Sequence, residues 1–252
     1  MTPTRYVHAM TWPLHTLQLH DAALDFANCR PTVTTWIAQM SDSIFGDKPA
    51  RIHSIYGKDG LLGHLHDTVA SSPDDLRAVL TQNHGGGVPI EVIDEIVAAA
   101  IQAEDRARAV AGVATAIRDL EERGVSVSRK PLREAMYFWW SNPRLQGAPK
   151  YRSKYPLTVP WSQAANSVRL ARGTGLVLEH TVPFAVAAND LISRCHDRGA
   201  FVEGLLAERW VVITKQEDDA VTANGYRTAL PASGNPFHRY QNAVEGELDI
   251  PS

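Results

Sequence analysis

Apolar residues recur every three or four positions along most of the chain, which predicts a mainly helical protein. Residues 16–28 carry Leu17, Leu24 and Ala27 at helical intervals, and residues 32–45 place Val33, Trp36, Ile37, Met40 and Ile44 on one side. Ser72-Pro73-Asp74-Asp75 reads as a capped helix start, with Pro73 in the first turn and two acids at the positive end, and that helix runs to about Gln82. The longest periodic stretch is 90–123, through Ile90, Ile93, Val97, Ile101, Val110, Ile117 and Leu120, and Gly124 stops it. Such a helix serves either as the spine of the helical region or as a dimer seam. Pro131 opens a shorter helix through Ala135, Tyr137 and Trp140, and most of Phe138-Trp139-Trp140 is expected in the core. Ser162 is set to cap a further helix ending near Leu170.

The rhythm changes after Gly173-Thr174-Gly175. Leu176-Val177-Leu178-Glu179-His180 is a short apolar run ending on an acid and a histidine, and Pro183 separates it from a helical stretch over 184–194. Trp210-Val211-Val212-Ile213-Thr214 repeats the arrangement and opens into Glu217, Asp218 and Asp219, which suit the start of a helix. The expected fold is therefore mainly α with a small α+β module, strand–strand–helix, near the C-terminus. Three regions follow: a helical 1–125, a basic aromatic segment at 126–172, and the module with its tail at 173–252. Within that tail Phe237-His238-Arg239-Tyr240 is expected to return toward the end of the first strand, with His238 as a candidate ligand.

Composition adds an asymmetry that the net charge hides. The 252 residues are 44% hydrophobic and 21% charged, with a formal charge of −3, which is ordinary for a globular chain. Residues 123–172, however, hold ten Lys or Arg against a single acid, Glu134. A block of this kind attracts a polyanion, and its interleaved tyrosines offer stacking surfaces. Arg144, Lys150, Tyr151, Arg152, Lys154 and Arg172 are the candidate nucleic-acid contacts. No apolar run approaches the ~20 residues needed to cross a bilayer, so no membrane partner is expected. Residues 1–19 lack the basic start and apolar stretch of a signal peptide, and Cys29 and Cys195 form no redox or ligand motif. A reducing cytoplasm is the expected compartment.

Most other motifs carry little. His53, His64 and His66 include a His-x-His pair in a segment of weak strand character, and Gly85-Gly86-Gly87 lacks the Gly-Lys-Ser/Thr of a phosphate loop. Cys195-His196 are helix neighbours about 100° apart and form no ready catalytic pair. Glu179 and His180 are the stronger constellation. A divalent cation held by Glu179 and a later carboxylate can stabilise charge on a scissile phosphate. Histidine has the pKa to take a proton from water near neutral pH. Adjacent strand residues point to opposite faces, so the two side chains would serve different roles.

Leu178-Glu179-His180-Thr181-Val182-Pro183 resembles the first half of the ββα-metal motif of the HNH endonuclease family, and residues 210–217 are similar in rhythm to its second half. The resemblance covers about residues 173–222. It implies a metal-dependent DNA endonuclease of host-defence or mobile-element type, with Glu179 as metal ligand, His180 as general base, and the second ligand at Glu217 or Asp218. Mg²⁺ or Mn²⁺ is the implied ion, with Zn²⁺ a further candidate, and DNA is the implied substrate ahead of RNA. This chain departs from the family pattern at Glu179, where Asp is usual, at Glu208-Arg209 in place of an asparagine, and at Glu217 in place of histidine or asparagine. The alternative is a noncatalytic nucleic-acid- or protein-binding factor with a degraded module.

Overall fold

The computed structural model describes residues 17–18, 26–27, 30–44, 69–83, 88–146, 150–152, 154–157, 159–207, 210–240 and 243. Within them the chain is mainly helical with small antiparallel strand pairs. It divides into two compact units interleaved in sequence, one of 1–115 with 137–147 and one of 116–136 with 148–252. The basic aromatic segment from 148 onward therefore shares a unit with the C-terminal module.

In the first unit β1 (Leu17–Gln18) pairs antiparallel with β2 (Val69–Ala70). Helix α1 (Pro31–Ile44), α2 (Pro73–Asn83) and the first part of α3 (Ile90–Glu122) bury Val33, Trp36, Ile37, Leu76, Leu80, Val92, Ile96 and Ala100 in one core. Ser72 caps α2 as its sequence predicts, its Oγ accepting from the Asp75 N–H at 3.1 Å. The helix expected over 16–28 is not continuous: Leu17–Gln18 is a strand, because pairing with a distant segment overrides a weak local helical rhythm. His53, His64, His66 and Gly85-Gly86-Gly87 lie outside the described residues. Helix α4 (Lys130–Gln146) runs six residues past Trp140 and holds Pro143 and Arg144 within it. Trp139 and Trp140 are buried while Phe138 is exposed.

The second unit is organised around two strands. β3 (Lys150–Tyr151) and β4 (Tyr155–Pro156) form a tight hairpin, followed by α5 (Gln163–Leu170). β5 (Leu176–His180) pairs antiparallel with β6 (Trp210–Thr214), in the register Leu176 opposite Thr214 and His180 opposite Trp210. Trp161 bridges Val212 on the free side of β6, with Ser162 N–H donating to Val212 O at 3.0 Å. Between the strands the chain leaves through α6 (Phe184–Arg194) and α7 (Arg198–Ala207). Helix α7 escapes the periodicity reading, although Asp197 Oδ1 accepts from the Ala200 N–H at 2.9 Å as an N-cap should. Helix α8 (Lys215–Ala223) follows β6 directly, and a 3₁₀ turn (Pro236–Tyr240) closes the described chain. The mainly-α fold with a small strand–strand–helix module is what the pattern predicts. Among the described residues no helix is long and apolar enough to cross a membrane.

Candidate functional site

β5 carries two charge clusters, one at each end. Its five residues place Leu176 and His180 roughly 13 Å apart at ~3.3 Å per residue.

The His180 end follows from strand alternation. Val177 and Glu179 lie opposite Ile213 and Val211 on one face. That face is covered by Val221 of α8, by Tyr226 and by Tyr240. On the other face His180 lies opposite Trp210, with ring centroids 3.6 Å apart, and Phe184 stands 6.4 Å away beneath the guanidinium of Arg133. The predicted split of Glu179 and His180 to opposite faces is what the structure has.

The tail returns to this end, as expected, but it brings Arg239 rather than His238. His238 Nδ1 lies 2.7 Å from Ser233 Oγ instead. Arg239 is 1% exposed. Its Nη1 donates to His180 O at 2.6 Å and Thr181 O at 3.0 Å, and its Nη2 donates to Tyr226 O at 2.7 Å and Glu179 Oε1 at 3.2 Å. Tyr240 OH donates to His180 O at 3.2 Å, and burial pushes its phenol well above the ordinary value, so it stays neutral. Burial also raises the Glu179 carboxyl. The Arg239 charge opposes that rise, the Asp218 charge adds to it, and the His180 charge lowers it. The Asp218 carboxylate itself accepts from Lys215 Nζ at 3.0 Å.

Glu217 goes elsewhere. Its Oε2 accepts from Thr214 N at 2.7 Å, Thr214 Oγ1 at 3.0 Å and Ser162 Oγ at 2.7 Å, while Thr214 Oγ1 accepts from the Glu217 N–H. This reciprocal capping box starts α8 and ties it to the start of α5. The signal is visible in sequence as Thr214-x-x-Glu217 before a helix. Arg239 has no comparable signal, since nothing local in Pro236–Tyr240 announces which acceptors the guanidinium will meet.

The donors implied for a divalent ion do not fit one as they stand. One oxygen of Glu179 is bound to a buried guanidinium, Glu217 is saturated on one oxygen as a cap, and Asp218 is paired with Lys215. Among the described residues no group of three His, Cys, Asp or Glu side chains is set to hold a metal.

The Leu176 end is a cleft of about 290 Å³ lined by Tyr151, Arg152, Lys154, Tyr155, Gly173, Thr174, Gly175 and Leu176. The hairpin is pinned to the turn before β5: Tyr151 OH donates to Gly173 O at 3.0 Å and Tyr155 OH to Leu176 O at 2.7 Å. Arg152 Nη2 donates to Arg172 O at 3.0 Å and Gly173 O at 2.8 Å. Helix α5 ends in a Schellman turn, Gly173 N–H donating to Val168 O at 2.8 Å and Arg172 N–H to Arg169 O at 3.0 Å. That turn places Arg172 in the left-handed region at φ 54°, a position glycine usually fills, and Arg152 has φ 57°. Gly173 fits for a different reason, since a Cβ there would crowd Val168 Cγ1 at 3.0 Å and Val168 O at 3.2 Å. Of the predicted contacts, Lys150, Tyr151, Arg152, Lys154 and Arg172 are thus gathered on the hairpin and its adjoining turn. Arg144 lies on α4 in the other unit.

Comparison with protein-family models, curated proteins and solved structures finds no match.

Proposed function

We propose that this protein binds nucleic acid through the cleft at the Leu176 end of β5 and does not cleave it. One observation carries the reading. Among the described residues, the two non-glycine positions with positive φ are both arginines: Arg152 lines this cleft, and Arg172 immediately precedes Gly173 of its lining. A left-handed non-glycine residue costs roughly 1–2 kcal/mol, and glycine would relieve it. At Arg172 a cation in that position favours ligand over stability, whereas Arg152 also ties the hairpin to the turn through Arg172 O and Gly173 O. Exposed Lys150 and Lys154 add charge on the same hairpin, and such cations pair with phosphates in a sequence-independent way.

Fluorescence anisotropy of labelled single- and double-stranded DNA and RNA, from 50 to 300 mM salt, tests the proposal. For about four phosphate contacts log K should fall against log salt with a slope of roughly −3 to −4. The absence of binding to every probe at low salt, or binding indifferent to salt, sinks it. DNA is the favoured ligand on the resemblance alone.

Metal-dependent hydrolysis of DNA is the second reading. Its support is that the charge of Asp218 acts on the Glu179 carboxyl, next to His180 on the strand. The Arg239–Glu179 pair stands against it. Plasmid nicking that needs Mg²⁺ or Mn²⁺ and disappears in His180→Ala would replace binding by cleavage as the protein's activity.

A further inference from the structure

We infer that Arg239 is the resident cation of the strand–strand–helix module, filling a cation cage that the module would otherwise offer to a divalent ion. This stands apart from the nucleic-acid reading, because it concerns the opposite end of β5. Three backbone carbonyls, from His180, Thr181 and Tyr226, and the carboxylate of Glu179 converge on one buried guanidinium.

Oxygen-only acceptors from carbonyls and a carboxylate are the ligand chemistry of hard cations such as Mg²⁺, Mn²⁺ and Ca²⁺. Here they come from two separated stretches: residues 179–181 at the end of β5, and Tyr226 in the turn after α8. Arg239 donates to both of them. A guanidinium suits this place because it spreads one charge over a planar fork that reaches several acceptors at once. A spherical ion would draw the same oxygens to a single centre. The positive charge is therefore covalent to the chain, and the module keeps it whatever the metal supply.

The consequence is a module insensitive to metal in the native protein and responsive once the guanidinium is removed. The test measures thermal unfolding and bound Mn²⁺, by electron paramagnetic resonance, in the full-length protein with chelator or millimolar Mn²⁺. Wild type should show the same melting temperature in both and bind no Mn²⁺ through Glu179. Arg239→Ala should melt at least several degrees lower, and Mn²⁺ should recover part of that loss. The recovery should vanish in Arg239→Ala/Glu179→Gln.

A second variant guards against failure of the alanine protein to fold. Arg239→Lys keeps a cation with fewer directed donors, and should melt between wild type and Arg239→Ala with no response to Mn²⁺. Three results overturn the inference. One is a wild-type site for Mn²⁺ that Glu179→Gln abolishes. Another is an Arg239→Ala protein that folds with an unchanged melting temperature or ignores Mn²⁺. The third, where the alanine protein does not fold, is an Arg239→Lys protein stabilised by Mn²⁺.

Discussion

Arg172 and Arg239 sit at opposite ends of β5 and use the same side chain in opposite ways. Arg239 is buried, and its guanidinium is spent on three carbonyls and a carboxylate within its own chain. Arg172 is exposed on a left-handed backbone that would be easier for glycine. A buried cation has to be matched by acceptors, and removing it leaves a buried carboxylate uncompensated. An exposed one is held at little electrostatic cost and remains available to a ligand. The difference teaches that burial commits Arg239 to its own chain, whereas exposure leaves Arg172 the freedom to meet a proposed ligand, with the strand between them.

The comparison breaks most sharply at Arg239. Arg239→Met should lower unfolding stability by about 3–5 kcal/mol, read from urea midpoints, while affinity of the folded fraction for DNA stays within about twofold. A loss below about 1 kcal/mol would mean that the nest is not what holds the tail to β5. At the other end, Lys150→Ala/Lys154→Ala should weaken DNA binding by about 10- to 100-fold at low salt, and reduce the salt slope by about 2. Its melting curve should hardly move, because both side chains are exposed. Equal affinity in that variant would place the ligand elsewhere.

Arg172→Gly sharpens the contrast, because two readouts should move in opposite directions. Relief of the left-handed strain, partly offset by glycine's greater freedom when unfolded, should stabilise the protein by up to about 1 kcal/mol, while DNA affinity falls. A variant both less stable and fully competent to bind would remove the argument from backbone strain.

The smallest effect concerns Glu179. Burial raises its carboxyl above the ordinary range, so just above that range the folded protein binds more protons than the unfolded chain. Its contribution is fully present below the unfolded pKa and is lost as pH rises through the folded one. Glu179→Gln keeps an oxygen for Arg239 but cannot titrate. The stability of wild type relative to this variant should therefore fall with rising pH across that window. A rise instead would show that Arg239, rather than burial, governs the carboxyl.

Much of the fold is legible in local patterns. The long helix over 90–123, the Ser72 cap, the helix Phe184–Arg194 and both strands of the module follow from periodicity and capping residues, since each is decided by neighbours within a few positions. The strand at Leu17–Gln18 does not, because its partner lies at Val69–Ala70. Helix α7 escapes those patterns although Asp197 caps it, and its burial of Phe201 and Leu205 depends on where α6 places it.

The same division runs through the candidate site. Sequence by itself determined that the chain is mainly helical, that a basic aromatic stretch precedes a strand–strand–helix module, and that Glu179 and His180 leave the strand on opposite faces, because strand alternation and charge density are local properties. Only the tertiary structure decided what each carboxylate meets. Glu217 and Asp218 are neighbours with the same chemistry, yet one caps α8 against Ser162 and the other pairs with Lys215. Arg239 joins acceptors that lie up to sixty residues away. Which partner a charge finds depends on how distant segments pack around it, and the energy of burying that charge is set by the whole surrounding shell.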